Sequence, residues 1–180
     1  ALWGVRDPGR LRWLDPPPVP NWSQALALLQ DLGALDPGGA VTPIGRRMAE
    51  LPLHPRLGRM LAQAQTPAER RTAADLAALL SERDGWTAVP GAPRPADLGL
   101  RLAALEAFRA GRQSPGVGRA RLAAADRLSR KLVPGDRGRE SSSDKDAGGA
   151  TGLEPGALLA IAYPDRIAQR RGNRDGRYLL

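Results

Sequence analysis

Proline is placed in this sequence so that few architectures remain open. It stands directly ahead of four stretches whose apolar residues recur three and four apart, at Pro43, Pro55, Pro67 and Pro155. A helix accepts proline in its first turn, where no N–H is needed and the fixed φ already suits the helix. Each of these positions therefore reads as a helix start, and Pro52 and Pro164 read as stops. The 17 prolines cut the 180 residues into short helices joined by short connections. Only 4% of the residues are aromatic, so the core must rest on Leu and Ala, both strong helix formers. The fold class that follows is mainly α.

The first segment runs into Asp15-Pro16-Pro17-Pro18-Val19-Pro20, which predicts an extended connector. Asn21, with Gln24 three residues on, reads as a cap and capping box. Trp22, Ala25, Leu26, Leu29 and Leu32 then share one face of a helix that Gly33 ends. The turn-rich stretch 34–41, around Pro37-Gly38-Gly39, suits a small hairpin. Thr42 caps and Pro43 opens a second helix with Ile44, Met48 and Leu51 inward. Helix, hairpin and helix within about 30 residues outline a winged-helix-like unit over 1–52.

From residue 53 the pattern is helical alone. One helix presents Leu57, Met60, Leu61 and Ala64. Thr66-Pro67-Ala68-Glu69 is a capping box that opens another, with Ala73, Leu76, Ala77 and Leu80 inward. Gly85 and the stretch 90–95 form a loop. Asp97 caps a helix carrying Leu98, Leu102, Leu105 and Phe108. A further helix over 117–132 buries Val117, Ala124, Leu128 and Leu132, or a neighbouring stripe. Antiparallel helices with short loops make a bundle over 53–133. Residues 134–152 combine glycine, serine and mixed charge with no large apolar residue, the composition of a flexible insertion. A last bundle helix over 153–164 carries Leu158, Leu159 and Ile161. In the tail, Asp175-Gly176 between the runs 166–171 and 177–180 signals a hairpin, read as the start of a β domain over 165–180. The opening Ala1-Leu2-Trp3-Gly4 and the closing Tyr178-Leu179-Leu180 both read as cut ends.

Chemistry is scarce. There is no cysteine and one histidine, His54, which precedes a helix and is placed to cap or pack rather than to bind metal. No phosphate-binding loop of the G-x-x-x-x-G-K-[ST] type occurs, and the glycines at 111, 116 and 118 miss the dinucleotide spacing. No pair of carboxylates stands out as an acid–base couple. The expectations are no catalytic residue, no metal site, no membrane partner and a cytoplasmic location, since no apolar run reaches the ~18 residues of a span and no leader pattern is present.

Charge is more informative. The net charge is +8, yet residues 1–90 hold ten basic against nine acidic groups and residues 91–180 hold 17 against ten. Almost all of the excess lies in the second half, the footprint of a phosphate-backbone partner; a surface spelled in arginine by a GC-rich gene is the competing explanation, as 25 of the 27 basic residues are Arg. On the 117–132 helix, Arg119, Arg127 and Arg130 fall within about 80° of arc. Such a stripe could track phosphates or simply be solvated. Arg166, Arg170 and Arg171, close to Tyr163, suit a single strand held by charge and stacking, or an edge strand protected by arginine.

Specific runs go further. Trp3-Gly4-Val5-Arg6-Asp7-Pro8, Leu14-Asp15-Pro16-Pro17, Leu32-Gly33-Ala34-Leu35-Asp36 and the long run from Thr42-Pro43-Ile44-Gly45 through Met48-Ala49-Glu50-Leu51-Pro52-Leu53-His54-Pro55 resemble, in this order, the region that follows the motor of DEAH-box ATP-dependent helicases. The first run, and Ala162-Tyr163-Pro164-Asp165-Arg166-Ile167, are most similar to bacterial members. The resemblance is dense over 1–64, good over 153–180 and rests on pattern between. It implies a winged-helix domain, a ratchet-like helical bundle and the start of an OB-like barrel, packed on two RecA-like motor domains. ATP and Mg would belong to that motor, because nothing here matches its Walker motifs or its D-E-A-H box; this stretch would hold no cofactor and be inactive alone.

The function implied is to guide single-stranded nucleic acid, RNA rather than DNA, and to couple it to the motor, with Arg119, Arg127 and Arg130 as a wall and Arg166, Arg170 and Arg171 at the exit. Two other classes remain open: a free-standing winged-helix DNA-binding regulator reading the groove with Arg46 and Arg47, and a structural helical adaptor.

Overall fold

The computed structural model describes residues 2, 4, 5, 7–82, 96–114, 116–133, 153–170 and 178–179. The fold is mainly helical, with α1 (Val19–Asp31), α2 (Pro43–Ala49), α3 (Pro55–Gln63), α4 (Pro67–Ser81), α5 (Leu98–Arg109), α6 (Arg119–Leu132) and α7 (Pro155–Ala162). A two-residue pair, β1 (Gln169–Arg170) and β2 (Tyr178–Leu179), runs antiparallel with Gln169 opposite Leu179 and Arg170 opposite Tyr178. The loop over 83–95, the insertion over 134–152, the hairpin turn and Arg171 lie outside the described residues.

The chain divides into two compact units, Ala1–Gln63 with Ile161–Leu180, and Ala64–Ala160. The sequence reading drew its boundary at 52/53. The structure joins α3 to the winged-helix unit instead, because α3 packs on α2. At Gly58 the two helices are in ordinary contact, with the Met48 carbonyl oxygen 3.6 Å from where a Cβ would stand.

In the first unit, α1 starts at Val19 with Pro18 as cap and makes no side-chain cap bond. The Asn21 capping box is therefore corrected, as is the proline connector at its last residues: Pro20 sits in the first turn, where its missing N–H is harmless. The far end of α1 closes as its sequence predicts. Gly33 adopts φ +64°, its N–H donates to the Gln30 carbonyl and that of Ala34 to Leu29, at 2.7 and 2.8 Å, the paired bonds of a Schellman motif. The expected hairpin over 34–41 shrinks to one bridge between Leu35 and Val41, since Asp36 turns the chain by accepting from Gly39 and Ala40. Leu32, Ala34 and Met48 form the core here, with Leu28, Leu29, Ile44 and Ala62 against it.

Thr42 joins the bridge to α2. Its hydroxyl accepts from the Gly45 N–H at 3.0 Å and donates to the Gly33 carbonyl at 2.6 Å. Gly45 consequently lies so near Ala34 that an added Cβ would stand 2.1 Å from the Ala34 carbonyl oxygen. His54 caps α3 by accepting from the Arg56 N–H at 3.3 Å.

In the second unit α4, α5 and α6 pack against one another around Ala78, Ala104, Leu105, Leu122 and Ala125. The Thr66 box is present in both halves, and Glu69 also accepts from the Leu153 N–H at 3.1 Å. One inward assignment changes: Leu80 is 36% exposed. Val117 precedes α6, half-buried and packed against this core. The buried stripe of α6 is Leu122, Ala125, Asp126, Ser129 and Leu132, a neighbour of the one over Ala124 and Leu128. In the tail, Arg166 ends a 3-10 turn over Pro164–Arg166 rather than starting a strand.

Candidate nucleic-acid interface

The buried stripe of α6 combines the apolar Leu122, Ala125 and Leu132 with an ionic network. Arg109, at the end of α5, reaches between α4 and α6. Its Nη1 and Nη2 donate to the two carboxylate oxygens of Asp75 at 2.7 and 2.6 Å, and its Nε donates to Asp126 at 2.7 Å. Ser129 is fully buried and its hydroxyl donates to Asp75. Burial opposes the charge on Arg109, but the hydrogen bonds and charges of Asp75 and Asp126 outweigh it and raise its pKa above the ordinary value. Burial likewise pushes the Asp126 carboxyl up, and hydrogen bonds from Arg109 and Arg130 more than reverse that, leaving it below the usual range. A forked guanidinium satisfies two carboxylates at once, which is what makes such a buried cluster tolerable.

This network fixes which side of α6 faces out. Arg119, Arg127 and Arg130 are all exposed on it. Their surroundings differ. The Arg119 guanidinium lies over the Phe108 ring, 5.6 Å from its centroid. Arg130 Nε donates to the outer oxygen of Asp126 at 2.8 Å, one turn back on α6. Among the described residues Arg127 has no carboxylate partner.

The second predicted cluster belongs to the other compact unit. Arg166 stands over the Tyr163 ring at 5.5 Å, and Arg56 over the same ring at 5.3 Å. Arg56 also forks onto both oxygens of Asp165, at 2.5 and 2.9 Å, and donates to the Ala162 carbonyl at 3.3 Å. The Arg56 bonds and charge hold the Asp165 carboxyl below its ordinary range. Arg170 lies on β1, and Arg171 is outside the described residues.

Sequence reasoning singled out three of the four exposed arginines of α6, leaving out Arg121, and missed Arg109, Asp75, Asp126 and Ser129. The signal was present as charged residues inside apolar stripes, four residues after Leu105 and four after Leu122. It also missed Arg56 and Asp165, which are 109 residues apart.

The first unit holds an apolar hollow of about 560 Å³ walled by Trp13, Trp22, Leu29, Val41, Leu51 and Leu53 among others. Nearby Leu14 is 98% exposed and Val19 77%. Among the described residues no cluster of His, Asp or Glu could hold a metal ion, and no helix is long and apolar enough to cross a membrane.

Residues 25–53 match the family described as helicase associated domain (HA2), winged-helix, the span that contains Gly33, Thr42 and Gly45. The chain is 38% identical over 180 residues to the ATP-dependent RNA helicase HrpB of Escherichia coli K12, covering 99% of this chain and 18% of that protein. Residues 25–53 thus carry a helicase-associated winged-helix signature, and the chain over its whole extent is similar to one part of an ATP-dependent RNA helicase. It is similar to a crystal structure of E. coli DEAH/RHA helicase HrpB, with a TM-score of 0.63 at 36% identity over 98% of this chain and 18% of the other. A shorter part, 58 residues or 32% of this chain, is 41% identical to 5% of the pre-mRNA-splicing factor ATP-dependent RNA helicase prp22 of Schizosaccharomyces pombe. The chain thus spans about a fifth of the length of the HrpB proteins it matches over its whole extent.

Proposed function

We propose that this helicase-associated region guides single-stranded RNA in an ATP-dependent helicase and performs no chemistry of its own. The observation that supports this best is the outward face of α6, where three arginines are carried on a helix locked by the buried Arg109 network. A backbone bearing phosphates would displace counterions along that face. Arg166, Arg170 and Arg171 would meet the strand where it leaves. ATP and magnesium belong to RecA-like motor domains elsewhere in the protein, and the apolar surface around Trp13 and Leu14 would couple the winged-helix unit to the second of them. The protein works in the cytoplasm.

The test is to replace all six arginines by Ala in the intact helicase and measure RNA-stimulated ATPase against salt. The reading requires weaker stimulation and a shallower salt dependence. An unchanged stimulation and slope would end it, and a preference for one duplex sequence would favour a groove-reading regulator.

A further inference from the structure

Beside the end of α5 and the start of α6 lies a hollow of about 190 Å³, smaller than the ~300 Å³ usual for a drug-sized ligand. Its floor is apolar, from Phe108 and Leu122, and its rim carries Arg112, Gln113 and Arg119. On the α5 side the backbone is closed by hydrogen bonds: the Gly111 N–H donates to the Phe108 carbonyl and that of Arg112 to Ala107, at 3.0 and 2.8 Å.

The two arginines of the rim differ from the structural ones. Arg56, Arg109 and Arg130 each hold a carboxylate. Among the described residues neither Arg112 nor Arg119 does, and both are exposed. Arg119 is nevertheless positioned, because its guanidinium rests over the Phe108 ring. A planar cation backed by a ring leaves its other face free to stack on a second flat group. The start of α6 adds the partial positive charge of a helix with no side-chain cap.

We propose that this hollow takes one nucleotide of the single strand, with its base flat against Arg119 and its phosphate on Arg112. A carboxylate partner such as an acidic peptide would use the two charges but not the planar face. The assignment rests on the proposed function and sharpens it, since it adds contact with a base to contact with a backbone.

Binding of a ten-nucleotide oligouridylate, and of an abasic strand of equal length, to the full chain and its variants tests it by fluorescence anisotropy across a salt series. Arg119→Lys keeps the charge and removes the plane. It is expected to leave the salt slope unchanged and to weaken oligouridylate by about fivefold or more, with no effect on the abasic strand. Arg112→Gln is expected to weaken both strands and to lower the slope by roughly 0.7. Should Arg119→Lys match the unaltered chain on both strands while Arg127→Gln weakens both, the hollow is empty and only the guiding face survives. Should neither strand bind the unaltered chain, the hollow and the proposed function fall together.

Discussion

Arg109 on α5 grips both oxygens of Asp75 on α4 at 2.7 and 2.6 Å, and so ties these two helices together from inside. Asp75 and Asp126 are both buried, so removing Arg109 takes from Asp75 its forked cation and from Asp126 one of its two, leaving buried negative charge poorly compensated. Arg109→Met is expected to cost about 3–5 kcal/mol, read as a lower urea midpoint at constant m-value. Replacing the trio together, Asp75→Leu, Arg109→Met and Asp126→Leu, should recover most of that loss, because an apolar set carries no desolvation cost. A single variant as stable as the parent would show that the network is not structural.

The same network sets the acid limit. Burial pushes the Asp126 carboxyl up, but the hydrogen bonds from Arg109 and Arg130 hold it below its ordinary range; Glu69 is held down by the N–H groups of Gln65, Leu153 and Thr66. A depressed carboxylate contributes its full stability above the unfolded pKa and loses it as pH falls through the folded one. Arg109, whose pKa is raised, has the opposite sign, complete below its unfolded value and lost only far into alkali. The melting temperature should therefore be level between about pH 5 and 8 and fall below about pH 4. Asp126→Asn should lower the plateau and shrink the acid drop, as followed by circular dichroism.

Gly45 tests the contact that joins the bridge to α2. A methyl group there would stand 2.1 Å from a backbone oxygen, which no rotamer can relieve. Gly45→Ala should cost about 1–3 kcal/mol or more. Gly58→Ala meets nothing closer than 3.6 Å and should be neutral or stabilise by up to about 1 kcal/mol through helix propensity. Thermal melts of the pair decide it, and equal melting points would remove the steric explanation.

What the sequence made legible was local. The Thr66–Glu69 box and the Gly33 terminus follow from neighbours three to five residues apart, and both stand where the pattern puts them. Asn21 misled because proline was read as forbidding a helix, whereas the first turn has no use for its N–H. The face of α6 was set by residues distant in sequence. Asp126 and Ser129 can share the buried stripe of Leu122, Ala125 and Leu132 because Arg109 and Asp75, 17 and 54 residues away, receive them. Apolar periodicity alone favoured Ala124 and Leu128, since it treats a buried aspartate as a surface residue. The spacing of the α6 arginines shows their shared face, but not the Asp126 contact that distinguishes Arg130 from Arg127.

Arg56 binds the segment after α7 through side-chain atoms only, to Asp165 and the Ala162 carbonyl. Arg56→Lys keeps one charge and loses the fork. The Arg166 N–H, which donates to the Tyr163 carbonyl at 3.0 Å, should then exchange with solvent faster, while amides of the α4–α6 core stay unchanged. Hydrogen exchange read residue by residue separates the two, and uniform acceleration would mean global destabilisation instead.

Arg127 and Arg130 occupy one face but not one state. Arg130 already spends a donor on Asp126 at 2.8 Å, with its side chain 60% exposed; a phosphate must compete with that carboxylate. Arg127 has no such rival among the described residues. Against single-stranded RNA, Arg127→Ala should lower the slope of log affinity on log salt by about 0.7. Arg130→Ala should lower it by less, and should also weaken the fold by taking a partner from Asp126. Asp126→Asn frees Arg130 for the strand, so in that background Arg130→Ala should approach the full slope change. Equal slopes for Arg127→Ala and Arg130→Ala in the unaltered background would show that Asp126 does not compete with phosphate for Arg130.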